Sequence, residues 1–188
     1  MMTVLILHGI TGNAENNWQP WLRENLMERN VDVIVPNLPN TDHPDRKEWL
    51  GFVKDLTANV DLSGLVIVAH SLGVTTALDF IESLNEPIYG LISVSGFSDD
   101  YKHPLNSYFL AEKPMDFTKV NKNCKNFKVV YGDDDPYVPQ TSLQMLADDV
   151  HVEAVVIHSG GHLNANAGYL SFPLLMDVLL EWGINASN

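Results

Sequence analysis

Ser71 lies within Ala69-His70-Ser71-Leu72-Gly73, directly after an apolar run and directly before a stretch of helical periodicity. A small-x-Ser-x-small pattern at a strand-to-helix junction is the signature of a nucleophile elbow, in which the serine sits on a sharp turn and small flanking residues let strand and helix pass closely. Ala69 stands where a glycine is usual. Serine is also a favoured N-cap, so the pentapeptide alone does not separate nucleophile from cap. The decision rests on partners, because a free hydroxyl needs a nearby base that is itself oriented by a third group.

On this type of scaffold the partners follow in the order Ser, Asp or Glu, His. Downstream of Ser71, an apolar run at 127–131 ends in Gly132-Asp133-Asp134-Asp135-Pro136-Tyr137-Val138-Pro139, and one at 152–157 leads to His158-Ser159-Gly160-Gly161-His162. Gly132, Asp135 and Val138 fit a Gly-x-x-Asp-x-x-Val pattern, so Asp135 is the expected acid. Asp133 and Asp134 read as solvated turn formers. The triplet lacks the spaced oxygen ligands and distal Glu of a calcium loop, and no metal is expected there. His162, after two glycines that permit a sharp turn, is the expected base. His158 is the runner-up and, continuing its strand, would point into the sheet edge or core. His43, His103 and His151 read as surface residues, and Cys124 as structural.

The first apolar run, 3–7, ends in His8-Gly9-Ile10-Thr11-Gly12. A His-Gly step there marks the loop that supplies one oxyanion donor, the other being the N–H after the nucleophile. The backbone N–H groups of Ile10 and Leu72 are therefore the expected oxyanion hole. His8 reads as hydrogen-bonded within its loop and bordering the pocket. Trp18 and Trp21 read as core and pocket wall.

These loops need a frame. Val- and Ile-rich runs at 3–7, 31–35, 65–69, 88–94, 127–131 and 152–157 are nearly continuous, as in strands buried on both faces of a parallel sheet. Between them, apolar residues recur at helical spacing, for example Leu174, Leu175, Val178, Leu179 and Trp182 in a last helix spanning 171–182. The alternation predicts one α/β domain over residues 1–188, a mainly parallel six-stranded sheet with helices on both faces. In such folds the site lies beyond the carboxyl ends of the strands, where each motif begins. The irregular stretch 97–126 is expected to form a short cap whose Tyr101, Tyr108 and Phe109, with Tyr137, wall the pocket.

Leu5-Ile6-Leu7-His8-Gly9, the elbow pentapeptide, Asp134-Asp135-Pro136-Tyr137-Val138-Pro139 and Gly161-His162 resemble the small serine hydrolases grouped with retinoblastoma-binding protein nine and the bacterial YdeN-like proteins. The likeness extends to Trp18-Gln19-Pro20-Trp21-Leu22 and Pro114-Met115-Asp116-Phe117. It implies an α/β-hydrolase fold with little or no lid and a Ser71, Asp135 and His162 triad.

Eleven Lys and Arg against twenty-four Asp and Glu leave a net charge of −13, which disfavours nucleic acid and anionic membrane as partners. One cysteine excludes an intrachain disulfide, and the start of the chain has no basic segment before its short apolar run. A cytoplasmic monomer or weak homodimer is expected. The activity expected is hydrolysis of small carboxylic esters without cofactor. Its rivals are a small peptidase and a non-catalytic interaction module on a hydrolase scaffold.

Overall fold

The computed structural model describes residues 2–184. Six strands, β1 (Thr3–Leu7), β2 (Asp32–Ile34), β3 (Leu65–His70), β4 (Ile88–Val94), β5 (Cys124–Gly132) and β6 (Val155–Ile157), form one sheet in the order β2-β1-β3-β4-β5-β6. Every adjacent pair is parallel. The helices are α1 (Gln19–Met27), α2 (Arg46–Leu56), α3 (Leu72–Glu82), α4 (Ser107–Leu110), α5 (Phe117–Lys122), α6 (Gln140–Asp149) and α7 (Pro173–Glu181).

The continuous apolar runs are explained by two cores, one on each face. Leu5 and Leu7, Leu65, Ile67 and Ala69, and Val129 and Tyr131 pack against α2, α3 and α6. Their neighbours Val4 and Ile6, Val66 and Val68, and Ile92 and Val94 pack against α1 and α7. Strand side chains alternate faces, so a strand covered on both sides is apolar at every position. The edge strands are shorter than their apolar runs: β2 keeps three residues of 31–35 and β6 three of 152–157. Each has one partner to hold it.

The stretch 97–126 is largely structured. It contributes α4, α5 and the first residues of β5, which begins at Cys124. Arg46, buried at the start of α2, fastens this segment down. Its Nε and Nη2 donate to both carboxylate oxygens of Asp79 on α3 at 2.7 and 3.0 Å. Its Nη1 donates to the carbonyls of Phe109, Leu110 and Lys113. No described helix is long and apolar enough to cross a membrane.

Candidate active site

The β3–α3 turn presents Ser71 with φ 54° and ψ −129°, a conformation costly for any side chain and sustained only where the surroundings over-determine it. They do so here. A Cβ on Gly73 would lie 2.3 Å from the carbonyl oxygen of His8, and one on Gly9 would lie 2.9 Å from Ser71 Cβ. The elbow therefore passes against the loop after β1 at a distance only glycine permits. Ser71 N–H is spent on the carbonyl of Val94, which pins the turn to β4.

His162 Nε2 lies 3.0 Å from Ser71 Oγ, and its Nδ1 lies 2.6 Å from Asp135 Oδ2. Asp135 Oδ1 accepts from the N–H groups of Tyr137 and Val138, so the carboxylate is held by its own loop. With Oδ2 as acceptor, Nδ1 carries the proton and Nε2 is left to accept from the serine hydroxyl. The three residues expected from the sequence thus form one hydrogen-bonded line. Ile10 and Leu72 flank Ser71, one in the loop after β1 and the other at the first position of α3. Among the described loop and turn contacts neither N–H reaches a backbone carbonyl.

Asp133 and Asp134 are not merely solvated turn formers. Asp134 Oδ1 accepts from Gly161 N–H at 2.7 Å, and Asp133 Oδ1 accepts from Ser159 N–H at 2.8 Å. Asp133 Oδ2 also pairs with His158 Nδ1 at 2.9 Å, and that contact raises the pKa of His158. The side chain of His158 is almost fully exposed on this pair, not turned into the sheet edge or core. All three aspartates therefore grip the loop that carries His162. Its residues Ser159, Gly161 and Leu163 all have positive φ, and such a loop needs tethers to stay in place.

Two further histidines border the serine, both buried. His8 Nε2 accepts from Leu38 N–H at 2.9 Å and its Nδ1 donates to the Gly9 carbonyl at 2.8 Å, so it is neutral and structural. Burial lowers its pKa, against the opposing pull of Gly9. His70 Nε2 donates to the carbonyl of His162 at 2.9 Å. Burial first, and then the nearby charge of His162, push its pKa down to about 3. Cys124 is buried, its thiol pushed up to about 12 by desolvation, which leaves it unreactive near neutrality.

A cleft of about 320 Å³ opens over Ser71. His8, Tyr101 and Tyr137 border it as expected, and Tyr137 meets the His162 ring edge-on at 5.1 Å. Tyr108 and Phe109 do not. Phe109 is buried in the core against Trp49, and Tyr108 lies outside the cleft, stacked on His43. The reason is α4: its single turn points Phe109 inward to the core and leaves Tyr108 outside. Trp18 is core rather than wall, its Nε1 donating to the carbonyl of Leu163. His103, expected at the surface, borders the cleft, as do Asn16, Asn17, Asn164 and Asn166. Isolated loop asparagines read as turn formers, and nothing in their spacing marks them as a wall.

A family model described as serine hydrolase matches residues 4–181. YdeN of Bacillus subtilis is 29% identical over 181 residues, 95% of each chain. The serine hydrolase RBBP9 of Rattus norvegicus is 25% identical over 153 residues, 79% of each chain. The crystal structure of the ydeN gene product superposes with a TM-score of 0.89 over 97% of this chain and 98% of that one. Est1E from Butyrivibrio proteoclasticus, 19% identical with a TM-score of 0.74 over 96% of this chain and 88% of its own, shares the fold. With the matched region spanning nearly its whole length, the chain belongs to the serine hydrolase family of YdeN and RBBP9 and has the α/β-hydrolase fold.

Proposed function

We propose that this serine hydrolase cleaves carboxylic esters through an acyl-enzyme on Ser71. The observation that carries the reading is the unbroken line from Ser71 Oγ to His162 Nε2 at 3.0 Å and from His162 Nδ1 to Asp135 at 2.6 Å. Ser71 Oγ attacks the carbonyl carbon as its proton passes to His162 Nε2. Asp135 holds the ring in the required tautomer and stabilises the imidazolium. The Ile10 and Leu72 N–H groups receive the oxyanion, each donor of this kind contributing about 3–4 kcal/mol. The ester C–O bond then breaks, the leaving alkoxide takes the proton from His162, and water repeats the sequence to release the acid and restore Ser71.

Esters are favoured over peptides by the modest cleft, which has no Lys, Arg, Asp or Glu among its described lining residues to anchor a chain terminus. The proposed setting is a small-molecule substrate met in the cytoplasm by a monomer or weak homodimer. A fluorophosphonate probe tests the mechanism. It is expected to label the native chain once and to leave Ser71→Ala unlabelled, with 4-nitrophenyl acetate hydrolysis lost in the same variant. Equal labelling of both proteins, or none of the native one, overturns the reading and leaves the interaction-module alternative in its place. Hydrolysis of aminoacyl amides but not of nitrophenyl esters overturns the substrate class.

A further inference from the structure

The two sides of the cleft differ in chemistry. Tyr101, Leu105, Val138 and Tyr137 form a largely apolar side, supplied by the segment after β4 and by the loop of Asp135. The loop before α1 and the loop after His162 bring Asn16, Asn17, Asn164 and Asn166 to the same cleft. The two loops are joined directly, Ala165 N–H donating to Asn17 Oδ1 at 2.9 Å.

The orientation of three of these amides is fixed by their partners. Asn16 Oδ1 accepts from Asn13 N–H, Asn17 Oδ1 from Ala165 N–H, and Asn164 Oδ1 from Ala167 N–H. A backbone N–H can bond only to the amide oxygen, so each Nδ2 is the end left over. Among the described residues none of these three Nδ2 groups has a protein acceptor. The Tyr101 hydroxyl oxygen accepts from Asn106 Nδ2 at 2.9 Å, which leaves its O–H free to donate. The residues that line the cleft therefore carry several unused neutral donors, beside one buried acceptor without a partner among the described residues, Asn106 Oδ1. Its described lining contains no Lys, Arg, Asp or Glu, and the chain carries a net charge of −13.

We propose that the substrate is an uncharged, oxygen-rich ester of the acylated polyol or sugar type, its hydroxyl and ether oxygens accepting from the amide wall and its short acyl chain lying on the apolar side. A carboxylate would also accept from these donors, but it would meet the negative field of the whole chain with no lysine or arginine in the described lining to receive it. A cationic group would find more free donors than acceptors, Asn106 Oδ1 being the unpartnered acceptor, and no carboxylate in the described lining. A long alkyl chain would strip the amides of water and return no hydrogen bond, a penalty that sites with unpaired polar groups exact on analogues lacking the matching oxygen.

This inference rests on the esterase reading, and glycerol 1-acetate against propyl acetate tests it, because the second differs only by the two missing hydroxyls. The quantity to measure is the ratio of their kcat/KM values on the full chain, each divided by the rate of hydroxide-catalysed hydrolysis of the same ester. The expected ratio is about tenfold or more, the value of two ordinary hydrogen bonds. Asn17→Asp with Asn164→Asp keeps the acceptors for Ala165 and Ala167 while removing two of these donors, and it should lower the ratio. A native ratio near one or below, in a protein that takes the fluorophosphonate probe and hydrolyses 4-nitrophenyl acetate, overturns the substrate class and leaves the esterase standing. A native ratio of about ten that is unchanged in the double variant overturns the amide wall as its cause. Failure of probe and nitrophenyl ester together brings down the esterase reading and this inference with it.

Discussion

Asp134→Ala is expected to lower kcat, by up to about tenfold, with little change in KM, although Asp134 touches neither Ser71 nor the cleft. Its Oδ1 accepts from Gly161 N–H at 2.7 Å, and Gly161, at φ 55°, is the residue immediately before His162. A hydrogen bond to a charged acceptor contributes about 1.5–3 kcal/mol, and this one is exposed, so the lower end applies. About 1.4 kcal/mol of lost preference for the aligned loop corresponds to about tenfold in the equilibrium between aligned and displaced loop, and so to at most about tenfold in kcat. A full displacement of about 1 Å would cost about a hundredfold, but other tethers remain, Asp133 on Ser159 among them. Asp135 still holds the ring, and His70 still donates to the His162 carbonyl. Asp134→Asn retains an acceptor oxygen without the charge and should recover activity to within about threefold, since neutral acceptors supply about half the energy of charged ones. The assay is steady-state hydrolysis of 4-nitrophenyl acetate, with thermal melting to show that both variants are folded. Native kcat in the alanine variant would refute the tether. An asparagine variant as slow as alanine would show that the charge of Asp134, rather than its grip on Gly161, matters.

Arg46→Ala should cost about 3–5 kcal/mol in urea unfolding, because it leaves a buried carboxylate with only the half-exposed Lys113 for company. The pair Arg46→Met and Asp79→Leu should cost less than the single change, and a larger loss in the pair would refute that account. Acid should destabilise the protein through His70. Its folded pKa, about 3, lies below its ordinary value of 6.5. Its contribution is therefore fully present above pH 6.5 and declines as pH falls toward 3, by up to about 1.4 kcal/mol per unit. Urea titrations between pH 7 and 4 should show that slope reduced in His70→Gln, with the part due to His8 remaining; an unchanged slope would dispose of the assignment.

What could be read from the sequence was local. The elbow is encoded by neighbours within two residues of Ser71, and the steric demand that makes Gly73 necessary is the same in any chain that turns there. Asp135 and His162, the proposed acid and base, could be found because each loop starts where a continuous apolar strand stops, so the parallel sheet itself delivers them to one edge. Strand ends were less legible: 152–154 are as apolar as an edge strand needs, but β5 supplies ladder partners only from Val155. Tyr108 and Phe109 illustrate a different limit. Adjacent aromatic residues on one helical turn point in different directions, and composition cannot say which of them meets a core.

The residues that were not legible as a site act between loops remote in sequence. Asn17 reaches Ala165, Asp133 reaches Ser159, Asp134 reaches Gly161, and Leu38 N–H reaches His8. Each is a short polar side chain or a backbone amide, and in sequence each reads as an ordinary turn. Together they hold the loop after β1, the loop of the acid and the loop of the base against one another, while Arg46 fixes the segment after β4 from behind. The proposed triad, supported in this way, would be positioned before substrate arrives, which is the condition under which dipoles aimed at a developing charge are most effective. It also explains three consecutive aspartates: one orients the imidazole, and the other two keep a strained loop from carrying that imidazole away.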